Sequence, residues 1–523
     1  MPKLSNMKPA APKSAIKTRS KTPDAVTYEG GEAYSRKPKS ELFLLAVSNM
    51  VGEDTFYEKS AERDKRFSGL ITKIVKEDPD WIARFVPFLR NEMNMRSASI
   101  VMAVEYVVAG GPSGRTVINS AIVRADEPAE VLGYYRARYG RNVPQPIKRG
   151  VADAVRRLYT ERNALKYDGD TRGYRMGDVI DIVHPEPKAD WQSFLFRYVI
   201  DRRHNRPMPA TGAFEGNLPT IFKHRQLLEI PVADRRAMLD RSDFSQILDE
   251  AGATWEFVSG WLQGPMDAKA WEAIIPSMGY MALLRNLRNF EEAKVSAEVM
   301  SKVYAKLSDP EEVAKSRQLP IRFYSAFKNT QGFGSKAVLE AAMQGTLQNV
   351  PALKGKTLIL VDQSGSMKSP FSKNGKIQMA DAAALFGAAL ALRAESADLY
   401  GYGTVYQQFK FTQATPVLKL TEDIAGYNGG GTNTFQTLDA TFNGHDRVII
   451  LTDEQAFGYS PWYGARKSAR EIEAAIYTFN LVGYKQGHLP SGEGNRYTFG
   501  GLTDAGFRMI DLIERGKNAD WPF

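Results

Sequence analysis

The 523-residue chain contains no cysteine, which excludes disulfides, thiolate zinc sites and cysteine nucleophiles together. Histidine is scarce. The five present (His184, His204, His224, His445 and His488) never fall within 15 residues of one another, so a metal site built from imidazoles is not expected. Any bound metal would be held by oxygen. Long apolar runs are missing too: no stretch approaches the roughly 18–20 residues that cross a bilayer. The N-terminal MPKLSNMKPAAPK lacks the apolar segment and cleavage site of a secretory leader. We therefore expect a soluble, cytoplasmic protein with no membrane partner.

The remaining composition is that of ordinary globular domains, with 43% hydrophobic, 25% charged and 11% aromatic residues. A wholly disordered or collagen-like chain is excluded. At about 100–200 residues per domain, the length calls for several cores, so the chain is expected to be multidomain.

Charge is unevenly spread. Residues 351–523 carry 17 basic and 17 acidic side chains, so the whole excess of +9 lies in residues 1–350. Two places concentrate it. Residues 1–23 hold six basic side chains and no acid, in a Pro/Ser/Ala/Lys mixture that cannot form a core. Residues 134–175 hold eleven basic and four acidic side chains, interspersed with six tyrosines able to stack on bases. A solvated helical face accounts for such a pattern; polyanion binding accounts for it better.

From about Glu41 to Gln348 apolar residues recur at three- and four-residue steps, in segments such as 80–93, 99–111, 190–203, 255–264, 278–290 and 335–350. A dozen or more short helices in series suggest paired-helix stacking of the solenoid kind, with repeats too degenerate to show a fixed period. Near Pro351 the pattern changes. Strand-like runs at 356–362 and 447–454 and a helix-then-strand run at 468–484 alternate with helices at 377–396 and 435–442. Such alternation predicts a parallel, doubly wound α/β sheet. The expected division is a basic flexible tail over 1–25, a helical module over 26–350, and an α/β domain over 351–523.

In an open parallel sheet, ligands gather where the strands end at their carboxyl side. Three such loops here offer hard oxygens: Asp362-Gln363-Ser364-Gly365-Ser366, then Thr432 in the glycine loop YNGGGTNT, then Asp453 after the run RVIILT. Two carboxylates and three hydroxyls suit one divalent cation, Mg²⁺ first, with Mn²⁺ or Ca²⁺ as alternatives. The catalytic readings are poorer. A phosphotransfer aspartate usually has a second carboxylate two positions on, where this chain has Ser364. A serine nucleophile needs a base, and the local sequence is not a G-x-S-x-G elbow. His445 and His488 are expected in polar loops. No enzyme is expected.

The D-x-S-G-S sequence, with Thr432 and Asp453 at later strand ends, resembles the metal-ion-dependent adhesion site of von Willebrand factor A domains. In that family a partner completes the metal shell. A long basic helical array followed by such a domain resembles the Ro autoantigen family of bacterial or phage type, whose helical portion is called the TROVE module. Three stretches carry the likeness: Lys148 to Tyr159; Lys166-Tyr167 with Gly173 to Pro185; and Met281-Ala282-Leu283-Leu284-Arg285-Asn286-Leu287-Arg288-Asn289. Tyr174 stands where the family has tryptophan.

The resemblance implies an all-α ring of HEAT-like repeats joined to a doubly wound α/β domain. It implies a ribonucleoprotein that binds Y-like small noncoding RNA on an outer basic surface and the 3′ ends of misfolded or single-stranded RNA in a central hole. RNA quality control or decay would follow, with an exoribonuclease such as polynucleotide phosphorylase as partner and the protein itself a monomer. The residues expected to meet RNA are Lys148, Arg149, Arg156, Arg157, Lys166, Arg172, Arg175 and His184. The alternative is a metal-dependent protein-interaction adaptor without RNA function.

Overall fold

The computed structural model describes residues 23–48, 55, 57–169, 173–316, 318, 320–346, 350, 352–370, 377–456, 472–489, 495–501, 504–514, 521 and 523. The chain divides into two compact units: Asp64–Thr346, and a second made of Met1–Arg63 with Leu347–Phe523. The passage at 346–347 lies close to the expected change at 351. The other expected boundary differs: residues up to Arg63 belong with the sheet, not with the helices. Local patterning carries no trace of this, because the anchoring interactions span more than 400 residues of sequence. Arg63, for example, is buried and donates to the Val482 carbonyl at 2.9 Å and to Glu58 at 3.2 Å.

The unit Asp64–Thr346 is helical. Its helices form where apolar stripes recur at helical spacing and polar caps satisfy the ends. Helix Pro79–Asn91 starts on a proline, is capped by Asp78 accepting from the Trp81 N–H, and buries Trp81, Ile82, Phe85, Val86 and Leu89. Helix Gln145–Leu158 buries Ile147, Val151, Ala154 and Val155 on one face. Packing steps along the chain. Gly114–Ala121 lies on Gln145–Leu158, which touches Met176–Val183, which lies on Asp190–Arg203. Each helix thus meets near neighbours in sequence, the behaviour of a stacked array.

Much of this unit's arginine is paired internally. Arg90 and Glu127 are both buried, bonded at 2.7 Å. Arg175, expected to meet RNA, is buried too: its guanidinium donates to buried Asp168 at 2.9 Å, and the Met176 N–H reaches the other Asp168 oxygen at 3.0 Å.

In the other unit, β1 (Ala25–Val26) and β2 (Glu32–Ala33) make a small antiparallel hairpin. A six-stranded sheet follows, of β3 (Leu353–Asp362), β4 (Ala394–Tyr402), β5 (Tyr406–Phe409), β6 (Arg447–Thr452), β7 (Ala475–Asn480) and β8 (Arg496–Gly500), in the order β5-β4-β3-β6-β7-β8. It is mixed: β5 pairs antiparallel with β4, while the others run parallel, which corrects the all-parallel expectation. The short reversal at 403–405 turns the chain straight back, leaving no length for a crossover helix. Alternate residues of β3 and β6 face opposite ways. Leu358, Leu360, Val448 and Ile450 pack with Leu438 of helix Thr434–Thr441, while Val361 and Leu451 approach Gly387 of helix Met379–Arg393. Both faces are therefore covered, as a doubly wound sheet requires. The helical half expected at 468–474 lies largely outside the described residues, as does the expected tail up to residue 22.

The Arg175–Asp168 pair yields a stability test. Asp168→Ala would leave a buried guanidinium without its carboxylate, at an expected cost of about 3–5 kcal/mol. Urea unfolding should show a clearly lowered midpoint; an unchanged one would mean that Arg175 finds water.

Candidate metal centre and nucleic-acid interface

Strand order reverses between β3 and β6, the place where an open sheet leaves a crevice. Asp362 ends β3 and Asp453 follows β6. A third loop is brought in by backbone pairing: Ser364 bridges Gly430, the Gly365 N–H donates to the Gly430 carbonyl at 2.7 Å, and the Gly429 N–H donates to the Gln363 carbonyl at 3.1 Å. Thr432 lies two residues further on. This crossing needs glycine, since a Cβ at Gly403 would stand 2.0 Å from the Gly429 carbonyl oxygen and one at Gly429 2.8 Å from two others. The glycine loop is thus glycine-rich for a steric reason.

All five residues singled out from the sequence, Asp362, Ser364, Ser366, Thr432 and Asp453, are buried. The Ser364 and Ser366 hydroxyls lie 3.3 Å apart. One Asp362 oxygen accepts from the Ser364 N–H at 2.9 Å, the other from the Thr452 hydroxyl at 2.6 Å and the Tyr402 phenol at 3.4 Å. Asp453 accepts from the Gln455 N–H at 3.1 Å through one oxygen, while its second oxygen, Oδ2, is buried without a partner among the described residues. Neither aspartate is in a salt bridge among those residues. Burial raises both carboxyls, and the charge of Asp362 adds to the effect at Asp453, pushed up to about 7.

Two buried carboxylates with no cationic side chain, one with an orphan oxygen, fit a divalent cation. Hydroxyls supply the rest of the donor set. Accordingly, among the described residues there is no cluster of three or more His, Cys, Asp or Glu arranged around a metal. Other histidines stand apart from this centre or differ from expectation. His445 and His488 lie in loops, as expected, but buried in them: His445 meets Asp398 at 3.0 Å, and His488 lies 3.9 Å from Glu454.

The expected RNA residues fall into three groups. Arg149, Arg156 and Lys166 are exposed and Lys148 is half-buried; none of these four is in a salt bridge among the described residues. Arg157 is exposed as well, but its guanidinium is tied to Asn119 and to the Ile122 carbonyl at 2.8 Å. Arg175 is withdrawn into the core by Asp168, because a buried carboxylate needs that charge more than solvent does. Arg172 lies outside the described residues. His184 is exposed, at a left-handed backbone position (φ 47°) that ends helix Met176–Val183. A packing role for it is ruled out by that exposure.

Of the six tyrosines, Tyr135 and Tyr159 are buried, and Tyr134 and Tyr139 donate to Glu105. Tyr167 and Tyr174 are half-buried with cations over their rings: Lys166 and Arg124 at Tyr167, and Arg136 at Tyr174. The base-stacking capacity read from the sequence is therefore smaller than the tyrosine count. Sequence reading stopped at His184 and missed Lys188 and Trp191, whose ammonium and ring lie 5.3 Å apart. The link was structural: Gln192 is buried and donates to the Arg156 and Tyr159 carbonyls, joining the start of helix Asp190–Arg203 to the end of Gln145–Leu158. Arg156, Lys188 and Trp191 are thereby brought to one end of the helical pair.

Among the described residues no helix is long and apolar enough to cross a membrane. No curated protein matches the chain. Residues 252–374 match the TROVE domain family. That span includes Met281 to Asn289 and runs through β3 into Asp362, Ser364 and Ser366; residues 148–185 lie outside it. The structure is similar to the crystal structure of the Deinococcus radiodurans Ro (RSR) protein, with a TM-score of 0.61 and 16% identity, covering 92% of this chain and all of that one. The chain thus carries a TROVE-domain match over part of its length on the fold of a solved Ro protein.

Proposed function

We propose that this protein binds RNA as the protein half of a ribonucleoprotein, and that its sheet unit is a von Willebrand factor A domain holding one Mg²⁺. The RNA is a Y-like noncoding RNA on the exposed basic surface of the helical unit, with 3′ ends of misfolded or decaying RNA entering the hole of a HEAT-like ring. The role is RNA quality control or decay in the cytoplasm, alongside an exoribonuclease, and the reading assigns no catalytic residue. One observation carries it: Arg149, Arg156 and Lys166 are exposed and free of salt bridges among the described residues, within a unit that otherwise pairs many of its arginines. Exposed cations without a carboxylate partner are available to the phosphates of an RNA.

Salt dependence tests the phosphate pairing. Arg149→Ala and Arg156→Ala should each flatten the plot of log affinity against log salt by about 0.7–0.9 for every phosphate left without its cation, for any structured RNA. Unchanged slopes in filter binding would remove both residues from the interface.

His184 should behave differently, since an imidazole recognises an unpaired base by stacking and hydrogen bonding and not by phosphate pairing. His184→Ala is expected to weaken the RNA that co-purifies with the protein more than an unrelated hairpin of equal length, with little change in slope. Equal weakening of both RNAs would deny it a reading role.

For the metal, Asp362→Ala combined with Ser364→Ala should abolish Mn²⁺ or Mg²⁺ binding by titration calorimetry while leaving RNA affinity within about twofold, because both residues lie in 351–523, where basic and acidic side chains balance. Undiminished metal binding would refute the centre.

A further inference from the structure

Glu454, directly after Asp453, holds a backbone conformation that suits glycine. Its φ is 63°, in the left-handed region, and the residue is buried. Such a position is strained for a residue with a Cβ and persists only where the surroundings impose it. Both aspartates of the candidate metal centre meet this turn. The Gln455 N–H folds back onto one Asp453 oxygen at 3.1 Å, which fixes the carboxylate and leaves Oδ2 buried without a partner among the described residues. The Glu454 N–H donates to the Thr452 hydroxyl at 3.0 Å, and that hydroxyl donates to Asp362 at 2.6 Å.

Two tethers hold the Glu454 side chain. Asn480, at the end of β7, donates to its carboxylate at 2.7 Å and is itself fixed by accepting from the Val482 and Gly483 N–H groups at 3.0 and 2.6 Å. Arg36, just after β2, donates to the same carboxylate oxygen, and both side chains of that pair are buried. Gly487 makes room for the pair: a Cβ there would stand 2.2 Å from the guanidinium and 2.6 Å from the other Glu454 oxygen. The next two residues are tied to the β1–β2 hairpin. The Tyr28 N–H donates to the Gln455 side chain at 2.9 Å, and the Thr27 hydroxyl donates to the Ala456 carbonyl at 2.7 Å. A glycine at 454 would make the turn without strain. What the glutamate adds is a carboxylate for an arginine 418 residues away in sequence.

We propose that Arg36 is a positioning residue for the cation site: through Glu454 it holds the left-handed turn that aims Asp453, so that the site forms only with the N-terminal segment in place. This rests on the metal reading proposed above and adds no ligand to it.

The test uses the full chain and Mn²⁺ as probe, with affinity read by electron paramagnetic resonance. Arg36→Met should weaken Mn²⁺ by about 10- to 100-fold, the usual effect of losing a residue that orients a metal ligand. Two double variants separate aim from charge. Neither keeps an unpaired buried carboxylate, so both remain informative where Arg36→Met alone does not fold. Arg36→Met with Glu454→Gly, whose glycine adopts the turn unaided, should recover most of the loss. Arg36→Met with Glu454→Gln removes the charge but keeps the strained turn, and should stay weak. Equal recovery by both would reduce Arg36 to a charge partner and overturn the proposal. Failure of both to recover would overturn it as well, and so would Arg36→Met binding as tightly as the unaltered chain. In each of these cases loss of the ion by Asp453→Asn shows that the metal centre itself stands. If the unaltered chain binds Mn²⁺ no better than Asp453→Asn, the metal centre falls and the role of Arg36 with it.

Discussion

The sheet unit is organised around two buried carboxylates, Asp362 and Asp453, placed where strand order reverses. Bringing two such groups out of water without a cationic side chain costs several kcal/mol for each charge. A fold meets that cost by hydrogen bonding, by raising the carboxyl pKa, or by a bound cation. The surroundings are arranged accordingly: hydroxyls from Thr452 and Tyr402 and the backbone N–H groups of Ser364 and Gln455 point at the carboxylates, but they satisfy only part of their capacity. The close crossing of Gly403 and Gly429, the bridge between Ser364 and Gly430, and the anchoring of the hairpin at Glu454–Ala456 all serve to hold loops against this one point.

The helical unit follows the opposite logic. Its interior carboxylates are matched to arginines, as with Glu127 and Arg90 or Asp168 and Arg175, and the buried pairs are secured by extra backbone donors. Such pairs define geometry more than they add stability. Basic side chains left over from this pairing stand at helix ends and on exposed faces. The raw excess of positive charge therefore overstates the surface charge available to a ligand in some places, Arg175 above all, and locates it well in others, such as Arg149 and Arg156.

What the sequence made legible follows the range of the interactions involved. Helical stripes and buried strand runs are local, and helices such as Asp190–Arg203 and strands such as Arg447–Thr452 appear where periodicity and apolar runs place them. The loops that carry the residues proposed for the metal follow a related rule: each lies after a strand or within a glycine-rich turn, and the topology of an open sheet gathers those loops at one edge. Arg175 was misjudged because its partner Asp168 looks like one more acidic residue in a basic segment until burial is known. Strand β5 was missed because four residues, Tyr406 to Phe409, are too few to show alternation. Tyr28 and Tyr57 carry no local signal, since they meet Gln455 and Tyr484 across more than 400 residues of sequence.

That last point bears on how the chain is built. Residues before Arg63 and after Leu347 belong to one unit, so the helical unit is entered from the sheet unit and returns to it. A fragment starting at residue 351 would retain every one of Asp362, Ser364, Ser366, Thr432 and Asp453, yet it would lack the hairpin, Arg36 and Arg63. Glu454 would lose its buried cationic partner, and an unpaired buried carboxylate next to Asp453 would add a third negative charge at the same place. Such a fragment would therefore report the electrostatics of a damaged site, not of the sheet unit. The intact unit has to be taken from both ends of the chain, which is also why the division between helical array and sheet, sharp in composition at residue 351, is not the division between the two folded bodies.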